Sequence, residues 1–256
     1  MTRTREEVPQ GPITLHGRLM SASNATFVGD VDGVRVVYKP VSGERPLWDF
    51  PDGTLAEREL ASFLVSDVLG WDVVPPTVLR EGPHGPGMVQ LWREPDPDQH
   101  PVDLVPAGEV GDDVCHVLNG LDARDRPVTL VHERSAALRR IAVFDVVVNN
   151  ADRKGGHVLP MRDGHRYGVD HGLTFHTEPK LRTVLWGWAG EALVAPEVTG
   201  LEALIHALHG DLGRRLGELL TRVEVAATLS RCEELLAAGT LPGPDGRWPA
   251  IPWPPF

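Results

Sequence analysis

The chain has 256 residues, is 41% hydrophobic and 24% charged, and carries a formal net charge of -11. This length can bury a substantial core, either as one larger domain or as two lobes that share a cleft. The excess of acidic residues argues against a nucleic-acid-binding protein and against one that adheres to anionic lipid. No apolar run is long enough to span a bilayer, and the N-terminal segment lacks the apolar core of a signal peptide. We expect a cytoplasmic protein without stable membrane insertion, and we take it to be a monomer.

Three short strands are predicted at the N-terminus, separated by turn-forming residues. They cover residues 13–20, 26–29 and 34–38. The loop between the first two strands is small and rich in hydroxyls, and it contains Ser21, Ser23 and Asn24. Such a loop can bind phosphate oxygens through its N–H groups and hydroxyls, although this one lacks repeated glycines. An ordinary hairpin turn explains the same residues, so both readings stay open.

The third strand ends in Lys39, which is followed by a proline. A lysine here points either to solvent or into a cleft, where it is a fixed positive charge for the phosphates of a nucleotide. In the second case an acid must hold it. The next predicted helix, residues 54–69, starts with the capping box of Thr54 and Glu57. Glu59 lies off the apolar stripe of this helix and is the predicted partner of Lys39.

Two further strands are predicted after this helix, and an acidic, proline-rich segment follows them. The strands cover residues 73–79, which contain two prolines, and residues 87–92. Residues 94–110 show no periodicity. They are predicted to be either a linker between two lobes or a surface insertion, and their place after a strand favours the linker.

Polar side chains suited to chemistry are concentrated in residues 141–172. A helix is predicted to begin after Ser135 as N-cap and to end at Asn149. A polar, glycine-rich loop and two short strands, residues 157–160 and 167–170, follow it. This arrangement predicts that acids from the loop and from the end of the second strand approach each other across a hairpin.

These two acids are Asp152 and Asp170, and the histidine His157 lies between them in sequence. Two carboxylates and an imidazole at neighbouring strand ends suit a divalent cation and a phosphate ester. The alternative is that Asp152 caps one turn and Asp170 begins another, which acids do in many proteins. The residues alone do not decide between the two.

The C-terminal third shows helical patterning over residues 200–238, which predicts the helical floor of a second lobe. The last 16 residues are too rich in proline for a helix or a central strand. We predict that they run extended and are pinned by Trp248, Trp253 and Phe256.

Taken in order, these features resemble the phosphatidylinositol 3- and 4-kinase superfamily. The likeness is greatest to type II phosphatidylinositol 4-kinases, and extends to an actinobacterial kinase-like group and, more distantly, to HipA-type toxin kinases. It covers roughly residues 13–175. The segments that carry it are the small-residue loop, Tyr38-Lys39-Pro40, residues 59–65, residues 90–94, Asp152-Arg153 and residues 169–172.

The resemblance implies an α+β, two-lobed protein-kinase-like fold. A small β-rich N-lobe would span residues 1–95, a larger, mainly helical C-lobe would span residues 96–256, and ATP would lie between them. Lys39 would contact the α- and β-phosphates and pair with Glu59. The hinge that meets adenine through backbone groups would be Gln90, Leu91 and Trp92.

The resemblance also assigns the chemistry. The Asp152-Arg153 loop would be catalytic, with Asp152 orienting or deprotonating an acceptor hydroxyl, and Asp170 would hold the metal. One departure is that His157 stands where the family has a metal-binding asparagine. Imidazole suits Mn²⁺ better than Mg²⁺, so we expect either a preference for Mn²⁺ or one tightly held ion instead of two.

The expected function is therefore transfer of the γ-phosphate of ATP to a hydroxyl of a protein, a lipid or a small molecule. Three alternatives stay open. They are an ATP-binding module without catalysis, a nucleotidyl transferase on the same fold, and a metal-dependent phosphohydrolase built from Asp152, His157, Asp170 and His171.

Overall fold

The computed structural model describes residues 6–19, 24–45, 47–50, 55–246 and 248–256. The architecture is mixed α+β, with a sheet-rich N-terminal part and helices later in the chain. The strands are β1 (Thr14–Arg18), β2 (Phe27–Val31), β3 (Val34–Pro40), β4 (Thr77–Gly82), β5 (Gly85–Leu91), β6 (Val102–Pro106), β7 (Val114–Leu121), β8 (Pro127–Glu133), β9 (Val158–Pro160) and β10 (Arg166–Gly168). The α-helices are α1 (Leu55–Leu69), α2 (Ala136–Val148), α3 (Ala195–Leu208), α4 (Asp211–Leu216) and α5 (Arg222–Ala238).

The N-terminal sheet has five antiparallel strands in the order β1-β2-β3-β5-β4. A two-residue turn at Asp32 and Gly33 joins β2 to β3, and both residues have positive φ, 52° and 79°, as such hairpin turns require. Lys39 at the end of β3 pairs with Met88 of β5. The neighbouring strand β5 therefore fixes the position from which the Lys39 side chain leaves the sheet.

Helix α1 covers the predicted range, but its start is capped by a residue that the sequence did not indicate. The carboxylate of Glu44 accepts hydrogen bonds from the N–H groups of Leu55 at 3.0 Å and Ala56 at 2.8 Å. Thr54, half of the predicted capping box, lies outside the described residues. The helix ends as predicted, at Leu69, with the following Gly70 at a φ of 66°.

A second sheet corrects the prediction for residues 94–110. Within this segment β6 forms a strand that pairs with β8, and the three-stranded order is β6-β8-β7. Prolines at 101 and 106 hid the strand, but prolines are tolerated on an edge strand. Conversely, the strand predicted over residues 73–79 begins only at Thr77, because Pro75 and Pro76 have no N–H to donate to a sheet.

The larger hydrophobic core lies among α1, α2, α3 and α5. Helix α2 begins and ends as predicted, since Ser135 Oγ accepts from the N–H of Leu138 at 3.1 Å and Asn149 has a left-handed φ of 52°. Because α1 contributes to this core, it joins the N-terminal sheet to the helices. The division into lobes at residue 95 stays a prediction. Within the described ranges, no helix combines the length and the apolar character needed to cross a membrane.

Candidate functional site

Lys39 is the centre of a group of charged residues drawn from three distant parts of the chain. Its Nζ lies 2.6 Å from Glu59 Oε1 on α1 and 2.7 Å from Asp170 Oδ1 after β10. Burial lowers the pKa of Lys39, but the carboxylates of Asp170 and Glu59 outweigh this and leave the pKa above its usual range. The ammonium is therefore charged, and the contact predicted between Lys39 and Glu59 is present.

Asp170 is the outer carboxylate of this group, and half of its side chain is exposed. The Lys39 ammonium holds the pKa of Asp170 well below its usual range, so the group is ionised. Its φ is 62°, a left-handed conformation that is uncommon outside glycine and is concentrated at functional sites. The inner acid Glu59 fixes this segment, because its Oε2 accepts the N–H of His171 at 3.0 Å.

His157 connects Asp170 to the loop that carries Asp152. Its Nδ1 lies 2.9 Å from the carbonyl oxygen of Asp152, and because a carbonyl only accepts, Nδ1 carries the proton. Burial lowers the pKa of His157 despite the nearby Asp170 carboxylate. The neutral ring then presents an Nε2 lone pair 3.4 Å from Asp170 Oδ2. Two electron-rich atoms face each other with no hydrogen between them.

Asp152 stands beside this pair. Burial raises the pKa of its carboxyl group, Lys154 and His157 lower it, and Asp170 raises it. Its Oδ2 lies 3.3 Å from the ammonium of Lys154. The predicted approach of Asp152 and Asp170 stays a prediction, and a carboxylate with a raised pKa is a better proton acceptor.

Arg153 was predicted to be catalytic, but its surroundings give it a structural position. The residue is 0% exposed. Its Nε and Nη2 donate to the Asp145 carboxylate at 2.9 and 2.8 Å, and Nη1 donates to the carbonyls of His157 and Val169, both at 3.1 Å. Nη2 also lies 2.7 Å from Nε2 of His171. Arg153 therefore holds the loop of residues 151–157 against the segment that carries Asp170.

Asp145 is the residue of this network that the sequence reasoning missed. It is 0% exposed in the last turn of α2, and it also accepts from Asn150 Nδ2 at 2.9 Å. A signal was present, because Asp145 is an acid in an otherwise apolar run and a buried acid needs a cationic partner. Arg153, eight residues later, is that partner.

The predicted hinge has its backbone donors already in use. The N–H of Leu91 donates to Pro76 O at 2.9 Å, and the N–H of Trp92 donates to Arg35 O at 3.0 Å. The buried side chain of Gln90 donates to Thr77 Oγ1 at 2.8 Å. The N–H groups of Leu91 and Trp92 are thus committed to protein carbonyls, and the expected hinge role of residues 90–92 stays a prediction. The sequence shows where β5 ends but not which neighbours its backbone meets.

The predicted phosphate loop is only partly described. Ser21 and Ser23 lie outside the described residues. Asn24 lies within them, and its Oδ1 accepts from the N–H of Arg45 at 3.0 Å. This bond ties the loop to the segment after β3, and a phosphate-binding role for Asn24 stays a prediction.

Metal ligation in this region depends on few side chains. Among the residues that the structure describes, no group of three or more His, Cys, Asp or Glu is arranged to hold a metal ion. Two donor atoms bound to one cation at about 2.0–2.2 Å lie about 3 Å apart, close to the separation of His157 Nε2 and Asp170 Oδ2. The pair therefore fits a cation such as Mg²⁺, whose other ligands are commonly phosphate oxygens and water.

Comparison with known proteins gives one relative at high identity. No family model matches the sequence. Protein Rv2133c of Mycobacterium tuberculosis is 49% identical over 259 residues, which cover 96% of this chain and 93% of that protein. The crystal structure of the Helicobacter pylori proinflammatory kinase CtkA aligns over 93% of this chain and 95% of that chain, with 9% identity and a TM-score of 0.44. A likeness at this level establishes neither a shared fold nor a shared function.

Proposed function

We propose that this chain, which belongs to the family of protein Rv2133c, is an ATP-dependent and metal-dependent phosphotransferase with a two-lobed kinase-like fold. The observation that carries the proposal is that the carboxylates of Glu59 and Asp170 both lie within 2.7 Å of the Lys39 ammonium. These residues lie 20 and 131 positions from Lys39 along the chain. Burying such a group of charges costs free energy. Binding of a triphosphate would explain why the protein contains it.

Lys39 is suited to bind the phosphates. Its ammonium is balanced between a nearly buried acid, Glu59, and a half-exposed one, Asp170. Glu59 keeps the side chain in place when the outer partner changes, because it is bonded to both Lys39 and the backbone of His171. A phosphate oxygen that replaces Asp170 beside Lys39 leaves the Asp170 carboxylate available for a cation.

Asp170 and His157 are the residues that would hold the cation, Mg²⁺ or Mn²⁺. Their facing lone pairs, 3.4 Å apart, are the structural reason. When bound, the ion neutralises negative charge on the phosphates. Because one of the two donors is an imidazole nitrogen, we infer a preference for Mn²⁺ over Mg²⁺.

Asp152 is suited to orient the acceptor hydroxyl and to take its proton. Its carboxylate is partly buried, has a raised pKa, and lies beside His157 and Asp170. The acceptor is a hydroxyl of a protein, a lipid or a small molecule. The N–H groups of Leu91 and Trp92 have protein partners, and their expected hinge role stays a prediction.

The test measures release of label from γ-labelled ATP, with water as the acceptor and Mn²⁺ or Mg²⁺ present. We expect Asp152→Asn to lower kcat by about 10²- to 10⁴-fold, the range for loss of a general base, while affinity for a nonhydrolysable ATP analogue is retained. Asp170→Asn is expected to weaken metal-nucleotide binding as well.

The matched control is Glu218→Gln, which changes an exposed acid between α4 and α5 and should behave as the wild type. Turnover of Asp152→Asn and Asp170→Asn at the rate of this control would refute the phosphotransferase assignment. Transfer of label from α-labelled ATP in place of γ-labelled ATP would instead identify a nucleotidyl transferase.

A further inference from the structure

The C-terminal tail, residues 248–256, reaches back to the loop of residues 151–157. The N–H of the buried Gly155 donates to Pro255 O at 2.8 Å. A Cβ at position 155 would collide with the ring of Phe256, the last residue of the chain. The glycine is therefore required by the ring that lies against it. This contact lies between Asp152 and His157 in sequence.

Backbone hydrogen bonds show how much the loop depends on this contact. The N–H of Ala151 donates to Leu173 O at 2.9 Å, and the N–H of Arg153 donates to Arg182 O at 3.0 Å. The body of the protein thus fixes the start of the loop, and it also fixes the end, because the carbonyl of His157 accepts Arg153 Nη1 at 3.1 Å and the N–H of Val169 at 3.0 Å. The tail supplies the partner for Gly155 between these two attachments. Loss of that partner is costly, so the turn at Gly155 and Gly156 would shift without the tail.

A second attachment holds the tail in register. The carbonyl of Ala250 accepts the N–H of Thr183 at 3.0 Å and the indole Nε1 of Trp186 at 2.8 Å. Thr183 itself forms a parallel bridge with Arg153. The tail is therefore attached at two points: Ala250 bonds to Thr183 and Trp186, and Pro255 bonds to Gly155.

Between Ala250 and Pro255, one predicted contact of the tail is absent. Trp253 is 86% exposed, so it does not pin the tail. The tail is held by its backbone, by Ile251, which packs against the larger core, and by Trp248, whose ring centroid lies 4.9 Å from Lys180 Nζ, while Phe256 lies against Gly155. The side chain of Trp253 serves as an internal comparison. The Asp170 side chain remains half exposed with the tail in place, so the tail supports the loop without closing the site.

We propose that Pro255 and Phe256 are positioning residues for phosphate transfer. They hold Gly155, the turn between Asp152 and His157, and thereby limit the movement of these two side chains relative to each other. This role rests on the proposed function, because positioning matters only if the loop acts on the acceptor and the metal. Misplacement of a catalytic group by about 1 Å lowers rates by roughly 100-fold, whereas binding of ATP through Lys39 is independent of the tail.

The experiment compares four variants of the full chain. They are a deletion of residues 255–256, Phe256→Ala, Phe256→Tyr and the control Trp253→Ala. Each is assayed for kcat and KM with ATP and Mn²⁺, with water as acceptor, and for amide hydrogen exchange at Gly155. A thermal unfolding curve checks that each variant is folded, which we expect because Phe256 is 48% exposed.

The deletion and Phe256→Ala should lower kcat by roughly 10- to 100-fold, leave KM for ATP unchanged, and accelerate exchange at Gly155. Phe256→Tyr should restore kcat and protection, and Trp253→Ala should match the wild type. Unchanged kcat and exchange in the deletion, or an increase in kcat, would overturn the positioning role. If the wild type transfers no γ-phosphate, the proposed function fails. Hydrogen exchange at Gly155 then decides by itself whether the tail holds the loop: accelerated exchange in the deletion supports this contact, and unchanged exchange refutes it.

Discussion

Two clusters in the part of the chain that the structure describes each hold a cation between two carboxylates, and they differ in how the cation is bonded. The Lys39 cluster comprises Lys39, Glu59 and Asp170, and the Arg139 cluster comprises Arg139, Glu197 and Glu191. The inner acids of the two clusters expose 2% and 4% of their side chains, and the outer acids expose 52% and 38%. Burial alone therefore does not distinguish a site from a structural cluster.

The Arg139 cluster is closed by further hydrogen bonds. Arg139 Nη2 donates to Ala192 O at 2.8 Å, while Nε and Nη1 bind the two acids at 2.8 and 2.7 Å. Glu197 Oε2 also accepts the N–H of Val194 at the start of α3. The guanidinium uses all of its nitrogens within the protein, so this cluster joins α2 to α3.

The Lys39 cluster ends at Asp170, whose side chain is half exposed. We call Asp170 and the facing His157 the open edge of this cluster. Its outer acid Asp170 faces the lone pair of His157 Nε2 at 3.4 Å, an arrangement that a cation would relieve. Lys39 is also a point charge, which exchanges partners more readily than a bidentate guanidinium. In the function that we propose, the open edge at Asp170 and His157, more than the buried ion pair, distinguishes the Lys39 cluster.

The largest effect that separates the two clusters is expected from Arg139→Met. This change leaves the buried Glu197 without its cation, so the free energy of unfolding should fall by about 3–5 kcal/mol. Denaturant unfolding measures it. Affinity of the folded variant for a metal-bound ATP analogue should not change.

Arg134→Met is the control for this prediction. Arg134 also binds Glu191, at 2.8 Å, but half of its side chain is exposed, so its loss should cost about 1 kcal/mol or less. If the two variants lose equal amounts of unfolding free energy, the ion pair of Arg139 with Glu197 does not stabilise the fold as described. If Arg139→Met loses affinity for the nucleotide, the Arg139 cluster is not purely structural.

A smaller effect is expected from His157→Asn, which changes the open edge itself. Replacing an imidazole donor by an amide oxygen should shift metal preference from Mn²⁺ towards Mg²⁺ by roughly 10-fold in relative kcat/KM, because Mg²⁺ favours oxygen ligands. Metal titrations at fixed ATP concentration measure the ratio. Equal activity with both metals in the wild type, unchanged in the variant, would remove His157 from the metal site.

The smallest effect is expected for the stability of Asp170→Asn. Glu59 still neutralises Lys39, and the Asp170 side chain is half exposed, so the free energy of unfolding should change by about 1 kcal/mol or less. Thermal or denaturant unfolding measures the change. A loss as large as that of Arg139→Met would mean that Asp170 is a structural acid like Glu197.

The sequence predicted those parts of the fold and the site that local pattern determines. Helix α2, its Ser135 cap and its end at Asn149 follow from residues within a few positions of each other. The contact between Lys39 and Glu59 was predicted because Glu59 is an acid off the apolar stripe of its helix. Such patterns report which face of an element is polar.

Other features depend on partners distant in sequence, and the pattern does not show them. Glu44 caps α1 from 11 positions upstream of Leu55. The N–H of Trp92 is occupied by Arg35, on a neighbouring strand of the sheet. The tail reaches Gly155 from about a hundred residues away. No local periodicity encodes these pairings, because tertiary packing decides them.

The most direct test of the central claim is a crystal structure with a nonhydrolysable ATP analogue and Mn²⁺. We predict that Lys39 Nζ leaves Asp170 for a phosphate oxygen while keeping Glu59, and that the ion lies against Asp170 and His157. A nucleotide bound elsewhere, with the 2.7 Å contact between Lys39 and Asp170 intact, would contradict the account.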